Sequence, residues 1–170
     1  MKIIDFARNM DRSAQHYYEG LAEKAGQIGP QRIFNMLAHD EEALLARLQR
    51  IQERMGARAD LDSRALDGRV NVFQRLQRRE RPVVTDDIDA YHLALEAERQ
   101  VLRQYEQALA NETEPEARRL LQRIADQERH ELEEIEHLYA FTNAPQQYLE
   151  WGEFSNLSEF HNFGRDVDMT

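Results

Sequence analysis

Residues 11–19 read DRSAQHYYE, and residues 98–106 read ERQVLRQYE. The two stretches share an acid at the first position, an arginine at the second, and a tyrosine followed by a glutamate at the end. Glu41 is matched in the same way by Glu128, so the acids at 11 and 41 recur at 98 and 128 with one offset of 87 residues. A repeat of this kind predicts two similar helical hairpins whose matching acids meet across a pseudo-two-fold axis.

The segments around these stretches have the composition of long helices. They are rich in strong helix formers, and we predict helices at about residues 2–25, 31–55, 86–111 and 115–141. Glycine and proline at residues 26–30 separate the first two helices. A Thr-Asp-Asp sequence at residues 85–87 begins the third helix, and a Thr-Glu-Pro-Glu capping box at residues 113–116 begins the fourth.

The connection between the second and third helices covers residues 56–84 and is longer than a turn requires. A helix of about 25 residues is roughly 37 Å long, and an extended chain spans that length in about 11 residues. The connection is therefore long enough to run along the whole bundle, with room for a short helix at residues 70–76. Together these features predict an all-α protein, in which residues 1–142 form an antiparallel four-helix bundle with a long crossover between its second and third helices.

Residues 143–170 differ from the bundle because aromatic side chains are scattered among polar ones. This tail contains Pro145, Tyr148, Trp151, Phe154, Phe160 and Phe163. Such a segment is too hydrophobic to remain loose in water, since its exposed aromatic rings would form an apolar patch. We therefore expect the tail to pack on the bundle or on a partner subunit, and to help form a homodimer.

The composition excludes several classes of protein. The 170 residues include 32 acidic and 22 basic side chains, and the net charge of -10 disfavours nucleic acid and anionic membranes as partners and favours small cations. The six arginines between residues 64 and 81 are accordingly interpreted as a solvated face. The chain has no cysteine, which excludes disulfides, thiolate metal sites and a cysteine nucleophile. Neither a secretory signal nor a membrane-spanning run is present, so we expect a cytoplasmic protein.

Acids interrupt the apolar faces of all four predicted helices. At the spacing of a buried helix face, the apolar positions near mid-helix include five acids: Asp11, Glu41, Glu98, Glu128 and Glu131. Unpaired ionised carboxylates are too costly to keep in a core, so they must be protonated, paired with cations or bound to metal. These faces contain no basic side chain, and we predict that the acids bind two divalent metal ions, whose charge they offset. The alternative is that one or more helices is rotated so that its acid faces solvent.

Two tyrosines accompany the acids. Tyr18 and Tyr105 follow Asp11 and Glu98 by seven residues, so they lie on the same helix faces about two turns away. Their hydroxyl groups are candidates to hydrogen-bond the carboxylates that hold metal. An ordinary role as core tyrosines with a satisfied hydroxyl is an equal alternative.

With these residues, the chain resembles the ferritin-like superfamily, and most closely the rubrerythrin-related proteins that lack a rubredoxin domain. The resemblance covers about residues 3–141. Those proteins carry, twice, a helix with a metal-binding glutamate and, further along the chain, an Asp-Glu-x-x-His element. Asp11 and Glu98 fall on the first element, while the sequences DEEAL at residues 40–44 and QERHE at residues 127–131 fall on the second. The chain departs from the pattern at three places, since Asp11 replaces a glutamate and Leu44 and Glu131 replace the two histidines.

The resemblance implies a dimetal carboxylate protein that holds two ions of iron or manganese and reduces peroxide or oxidises ferrous iron. It places Glu41 and Glu128 as bridging ligands and the other three acids as terminal ligands, without identifying a catalytic residue or an electron donor. An oxygen-only ligand set suits manganese, magnesium, calcium or ferric iron better than ferrous dioxygen chemistry. His130 lies one residue from the inward position and would ligate only if the helix were locally rewound.

Two other functions stay open. The chain is also consistent with a degenerate member of the superfamily that serves as a dimeric binding or scaffold module without catalysis. A hydroxylase for a larger substrate would need an access channel, which the sequence does not reveal.

Overall fold

The computed structural model describes residues 1–79 and 83–160, and for residues 57, 58 and 145–160 it describes the backbone alone. Five α-helices account for most of these residues: α1 (Ile3–Ala22), α2 (Ile28–Met55), α3 (Val72–Gln77), α4 (Asp87–Asn111) and α5 (Pro115–Phe160). Two short 3-10 helices, Gly56–Ala59 and Arg64–Leu66, lie between α2 and α3. The all-α bundle predicted from the sequence is confirmed.

The four long helices are arranged as two hairpins. Helix α1 packs along α2 and α4 packs along α5, while α2 also contacts α4 and α1 also contacts α5. Exchanging α1 with α4 and α2 with α5 leaves this set of neighbours unchanged, as a pseudo-two-fold axis requires. Helices α1 and α4 therefore lie diagonally across the core. Contacts of Tyr18 with Glu98 and of Phe6 with Tyr105 run in opposite chain order, so these two helices are antiparallel.

The pattern of burial repeats at the offset found in the sequence. Each of the eight buried residues of α2 has a buried counterpart 87 residues later in α5, except Leu44, whose counterpart Glu131 is only partly buried. The buried residues of α1 likewise map onto buried or partly buried residues of α4. The two hairpins therefore present the same helix faces to one core, and the matching acids take equivalent places in it.

The crossover between α2 and α4 runs the length of the bundle. It begins beside the start of α1, where Ile3 N donates to Leu61 O at 3.0 Å. Half-way along, Asn71 caps α3 and donates to Asn9 O at 2.9 Å. Helix α3, predicted at residues 70–76, buries Phe73 against Tyr17 with ring centroids 5.6 Å apart. The crossover thus closes one side of the core along α1.

The crossover ends where α4 begins, close to the start of α2. A Cβ atom on Gly29 would lie 1.8 Å from Asp87 Oδ1, so a larger residue at this position would require the side chain of Asp87 to turn away. The turn between α4 and α5 is also tight. Glu112 Oε1 accepts from the backbone N–H groups of Thr113 at 2.9 Å and Glu114 at 3.0 Å. The turn is therefore capped by Glu112 and not by the predicted capping box at residues 113–116, because Glu112 is buried in reach of both N–H groups.

Helix α5 is longer than predicted. The sequence indicated an end near residue 141, but the helix continues to Phe160. Pro145 does not end it, although a proline inside a helix removes one backbone hydrogen bond. By the 87-residue offset, the last residue of α2, Met55, corresponds to Thr142, so residues 143–160 have no counterpart in the first hairpin. Residues 161–170, which include Phe163, lie outside the described residues, and the packing of the tail stays a prediction.

Arginines of the crossover lie at the surface, as the sequence indicated. Arg64, Arg75, Arg78 and Arg79 are exposed and Arg69 is partly exposed, while Arg81 lies outside the described residues. Among the helices that the structure describes, none is both long and apolar enough to cross a bilayer.

Candidate metal centre

The five acids predicted as ligands come from all four long helices. Four are buried, with exposed fractions of 4% for Asp11, 7% for Glu41, 5% for Glu98 and 8% for Glu128, and Glu131 is partly buried. The alternative that these four acids face solvent is therefore excluded. Within the described residues, the buried side chains include no lysine, arginine or histidine. Among the residues whose side chains the structure describes, no buried cation compensates the acids.

Burial raises the pKa of each of these carboxyl groups. It raises the pKa of Asp11 to about 8, with a further contribution from the charge of Glu98. Burial raises the pKa of Glu98 to about 7, although the hydrogen bond from Tyr18 acts in the opposite direction. The pKa of Glu131 is raised to about 9 by burial and then by Glu98 and Asp11, while Arg47 lowers it.

The pKa values of Glu41 and Glu128 are also raised well above their ordinary range. Burial is the first cause for both pKa values, and the charges of other acids in the set add to it. The pKa of Glu41 responds to all four of the others, so the five carboxyl groups form one electrostatic cluster. Without a cation, such a cluster retains protons near neutral pH. A bound cation favours the ionised forms and releases those protons.

The two tyrosines are equally buried but differently bonded. Tyr18 donates from its hydroxyl to Glu98 Oε1 at 2.5 Å, across the diagonal from α1 to α4. The pseudo-symmetric bond would join Tyr105 to Asp11, yet the Tyr105 hydroxyl has no hydrogen-bond partner among the described residues. Asp11 is one methylene shorter than Glu98, which withdraws its carboxylate by about 1.5 Å. We infer that the shorter side chain leaves the hydroxyl unpaired.

A cleft of about 400 Å³ opens the acid cluster to the surface between α2 and α5, and we refer to it as the α2–α5 cleft. Its floor contains Glu41, Glu98 and Glu131. The walls and rim consist of Met36, Leu37, Asp40, Glu134, Ile135, His137 and Leu138. The sequence did not identify this cleft, although Asp40 adjoins Glu41 and Glu134 follows Glu131 by three residues on the same face of α5.

Within the described residues every histidine is exposed, and none belongs to the acid cluster. His130 is 65% exposed and lies on a regular α-helix, where its Nε2 atom is 3.4 Å from Glu134 Oε1. The rewinding that would turn His130 inward is therefore absent from the described part of α5. His137 lines the α2–α5 cleft, and the nearby Glu134 is paired with His130.

The donor set fits a hard cation in chemistry and charge, but it is not closed around one position. Among the described residues, the buried carboxyl groups have no buried base beside them and the Tyr105 hydroxyl has no partner. A bound cation would supply the positive charge that these carboxyl groups lack. In the part of the chain that the structure describes, no three Asp, Glu, His or Cys side chains converge tightly enough to hold a metal ion. Metal binding therefore requires the carboxylates to rotate towards one another.

Three comparisons with known proteins gave one family match. A family profile described as Rubrerythrin matches residues 2–139, which include all four long helices up to that point. Among solved structures, a hypothetical protein from Pyrococcus furiosus aligns at 23% sequence identity over 88% of this chain and 90% of its own, with a TM-score of 0.45. No curated protein matches the chain significantly.

Proposed function

The chain belongs to the rubrerythrin family, and we propose that it is a dimetal carboxylate protein that holds iron or manganese and reduces peroxide or oxidises ferrous iron. The residues that would hold the metal ions are Asp11, Glu41, Glu98, Glu128 and Glu131. Tyr18 and Tyr105 are proposed to support these ligands through their hydroxyl groups.

One observation carries the proposal. Carboxyl groups from four helices meet inside the bundle, and within the described residues no buried base accompanies them. Two divalent ions would bring a charge of the size that these acids offset. Protons alone can also neutralise the acids, but keeping five polar groups in a core for that purpose costs stability and contributes nothing to packing.

The side chains of this protein have definite tasks in such a centre. When bound, the metal ions supply a redox couple and Lewis acidity towards small oxygen species. Tyr18 fixes the orientation of Glu98 through its hydrogen bond, and the α2–α5 cleft gives solvent access to the floor acids. Because Leu44 and Glu131 replace two imidazole ligands, we expect redox turnover to be slower than in relatives that retain both histidines.

Metal content and turnover test this proposal together. Protein prepared without chelator should contain one or two metal ions per chain by elemental analysis, and Glu41→Ala/Glu128→Ala should contain none. The matched control is Glu42→Ala/Glu133→Ala, which removes the same charge from exposed positions of the same helices and should bind metal like the wild type. Peroxide and ferrous-oxidation assays on the loaded proteins then decide whether the centre turns over, and metal without turnover would retain the site but exclude the enzyme.

A second function is favoured by a separate observation. No three described acids converge on one point, and the raised pKa values allow the carboxyl groups to remain protonated. A degenerate family member that serves as a dimeric binding or scaffold module would have these properties. Protein that cannot be loaded with metal, and a Glu41→Ala/Glu128→Ala variant at least as stable as the wild type, would establish this function instead. A homodimer formed through residues 143–170 is proposed under either function.

A further inference from the structure

The α2–α5 cleft is much larger than the small oxygen species that the proposed centre would handle. A water molecule occupies about 30 Å³ of liquid volume, whereas the cleft measures about 400 Å³. Its walls are apolar, since Met36 and Leu37 from α2 face Ile135 and Leu138 from α5. Neither peroxide nor a bare metal ion uses hydrocarbon walls. The size and the lining are those of a pocket for a small organic molecule.

The rim of the cleft is acidic. Asp40 and Glu134 both belong to its lining, together with His137, and Glu134 also pairs with His130. Under the 87-residue offset, Asp40 corresponds to Gln127 and Glu134 corresponds to Arg47. The acidic rim is therefore specific to this side of the pseudo-symmetric bundle. It disfavours an anionic ligand and favours a cationic one.

The floor of the cleft contains a side chain that points independently to a ligand. Glu41 is only 7% exposed and lines the cleft. With the other described residues it makes no hydrogen bond or ion pair. A buried carboxyl group without a partner is costly, and in this position the cleft is where a partner can reach it.

We propose that the α2–α5 cleft binds a primary amine with an apolar body. The ammonium group lies within the cleft among Asp40, Glu134 and the carboxyl group of Glu41, and the hydrocarbon body lies along the apolar walls. The amine does not require metal to bind, so the binding inference does not depend on the proposed function. Only turnover of the amine would rest on it.

Three isosteric probes test the inference by calorimetry: phenylbutylamine, phenylbutanol and phenylbutanoate. The measurements are made at low ionic strength and about pH 8. This pH lies above the ordinary pKa range of histidine side chains, whereas the amine is still protonated. We expect the amine to bind about tenfold more tightly than the alcohol, as two partly exposed charge pairs imply, and the carboxylate to bind most weakly. Asp40→Asn/Glu134→Gln should remove the advantage of the amine, whereas Met36→Trp should weaken the amine and the alcohol alike by narrowing the cleft.

The control variant is Glu42→Gln/Glu133→Gln, which changes the net charge equally but alters acids outside the lining. It should leave the preference for the amine intact, and an equal loss in this variant would overturn the inference by assigning the effect to overall charge. Equal or tighter binding of the carboxylate, or no binding of any probe, would also overturn it. If no amine binds but Asp40→Asn/Glu134→Gln slows loading with manganese, the cleft is an ion route and the inference is wrong.

The same experiment, run on chelator-treated and on manganese-loaded protein, separates this inference from the proposed function. Protein that binds the amine but never retains manganese would overturn the proposed function alone. Protein that retains manganese but does not distinguish the three probes would overturn the inference alone.

Discussion

The hairpin of α1 and α2 and the hairpin of α4 and α5 bury equivalent positions but differ in the chemistry that they place there. Asp11 stands opposite Glu98, and Leu44 occupies the place that Glu131 has in the second hairpin. Packing tolerates these exchanges because the helix faces remain in register. The shared frame is therefore set by periodicity, and the individual side chains are free to break the symmetry of the site.

The two sides of the centre differ in different ways. The second hairpin contributes the extra acid Glu131 and the rim acid Glu134, where the first hairpin has Leu44 and Arg47. The cleft opens on the side of Glu98 and Glu131, while the other side contains the shortened Asp11 and the unpaired Tyr105. Solvent access and hydrogen bonding thus differ between two positions that exact two-fold symmetry would make alike.

The largest expected effect concerns the buried acids, which both hairpins contribute. Folding raises the pKa of Asp11 to about 8 and that of Glu131 to about 9, above the ordinary values of 3.8 and 4.5. At pH values between the ordinary and the raised pKa values, the native metal-free protein therefore binds more protons than the unfolded chain. The stability that these protonated acids contribute is fully present below about pH 4 and should fall by several kcal/mol as the pH rises to about 9. Urea unfolding at a series of pH values measures this loss.

The same measurement compares the hairpins. Asp11→Asn and Glu98→Gln remove equivalent acids, and each variant should lose less stability with rising pH than the wild type does. Manganese-loaded wild type should also show a flatter profile, because bound metal favours the ionised carboxylates. Stability that stays level or increases with pH in the metal-free protein would contradict the burial of these acids.

The next effect separates the two tyrosines. Tyr18→Phe breaks the hydrogen bond to buried Glu98, so we expect a loss of about 1.5–3 kcal/mol in the free energy of unfolding. Tyr105→Phe removes a hydroxyl that has no partner among the described residues, so the variant should lie within about 0.5 kcal/mol of the wild type. Both values come from urea unfolding of metal-free protein. Equal losses in the two variants would mean that both hydroxyl groups are bonded.

A smaller effect should follow from repairing the symmetry. Asp11→Glu extends the carboxylate towards Tyr105 and should give its hydroxyl the partner that Tyr18 already has. In this background, Tyr105→Phe should cost about 1 kcal/mol more than it does in the wild type, as one neutral hydrogen bond implies. A double-mutant cycle isolates that coupling. A coupling energy near zero would show that the length of residue 11 is not what leaves Tyr105 unpaired.

The regular repeat of the bundle was predictable from the sequence because it depends on the spacing between residues along the chain. One offset between acids was enough to align the buried faces of both hairpins, since helix period and burial repeat together. The unpaired Tyr105 was not predictable, because it depends on the reach of Asp11 across the core. The α2–α5 cleft was also missed, since a gap between side chains of separate helices leaves no mark on the sequence of one helix.

The end of α5 was predicted wrongly for a physical reason. Asn143 and Pro145 are signals that commonly end a helix, yet the backbone continues as a helix to Phe160. The tendency of these two residues to end a helix therefore did not decide the structure here. At this position α5 extends beyond the residue that matches the end of α2. The five acids as metal ligands remain a prediction, because burial is established for four of them and coordination is not.

The smallest expected effect on stability concerns residues 143–160, which have no counterpart in the first hairpin. A chain that ends at residue 142 retains every residue that matches α1 and α2, so its unfolding free energy as a monomer should stay within about 0.5 kcal/mol of the full chain at low concentration. Its oligomeric state should change from dimer to monomer, which light scattering after size exclusion measures. Trp151→Ala/Phe154→Ala keeps the length of the helix and removes two large rings, and it should also be monomeric if aromatic contacts form the interface. A truncated chain that is still a dimer would place the interface on the bundle, and a full-length monomer would exclude a role of this segment in assembly.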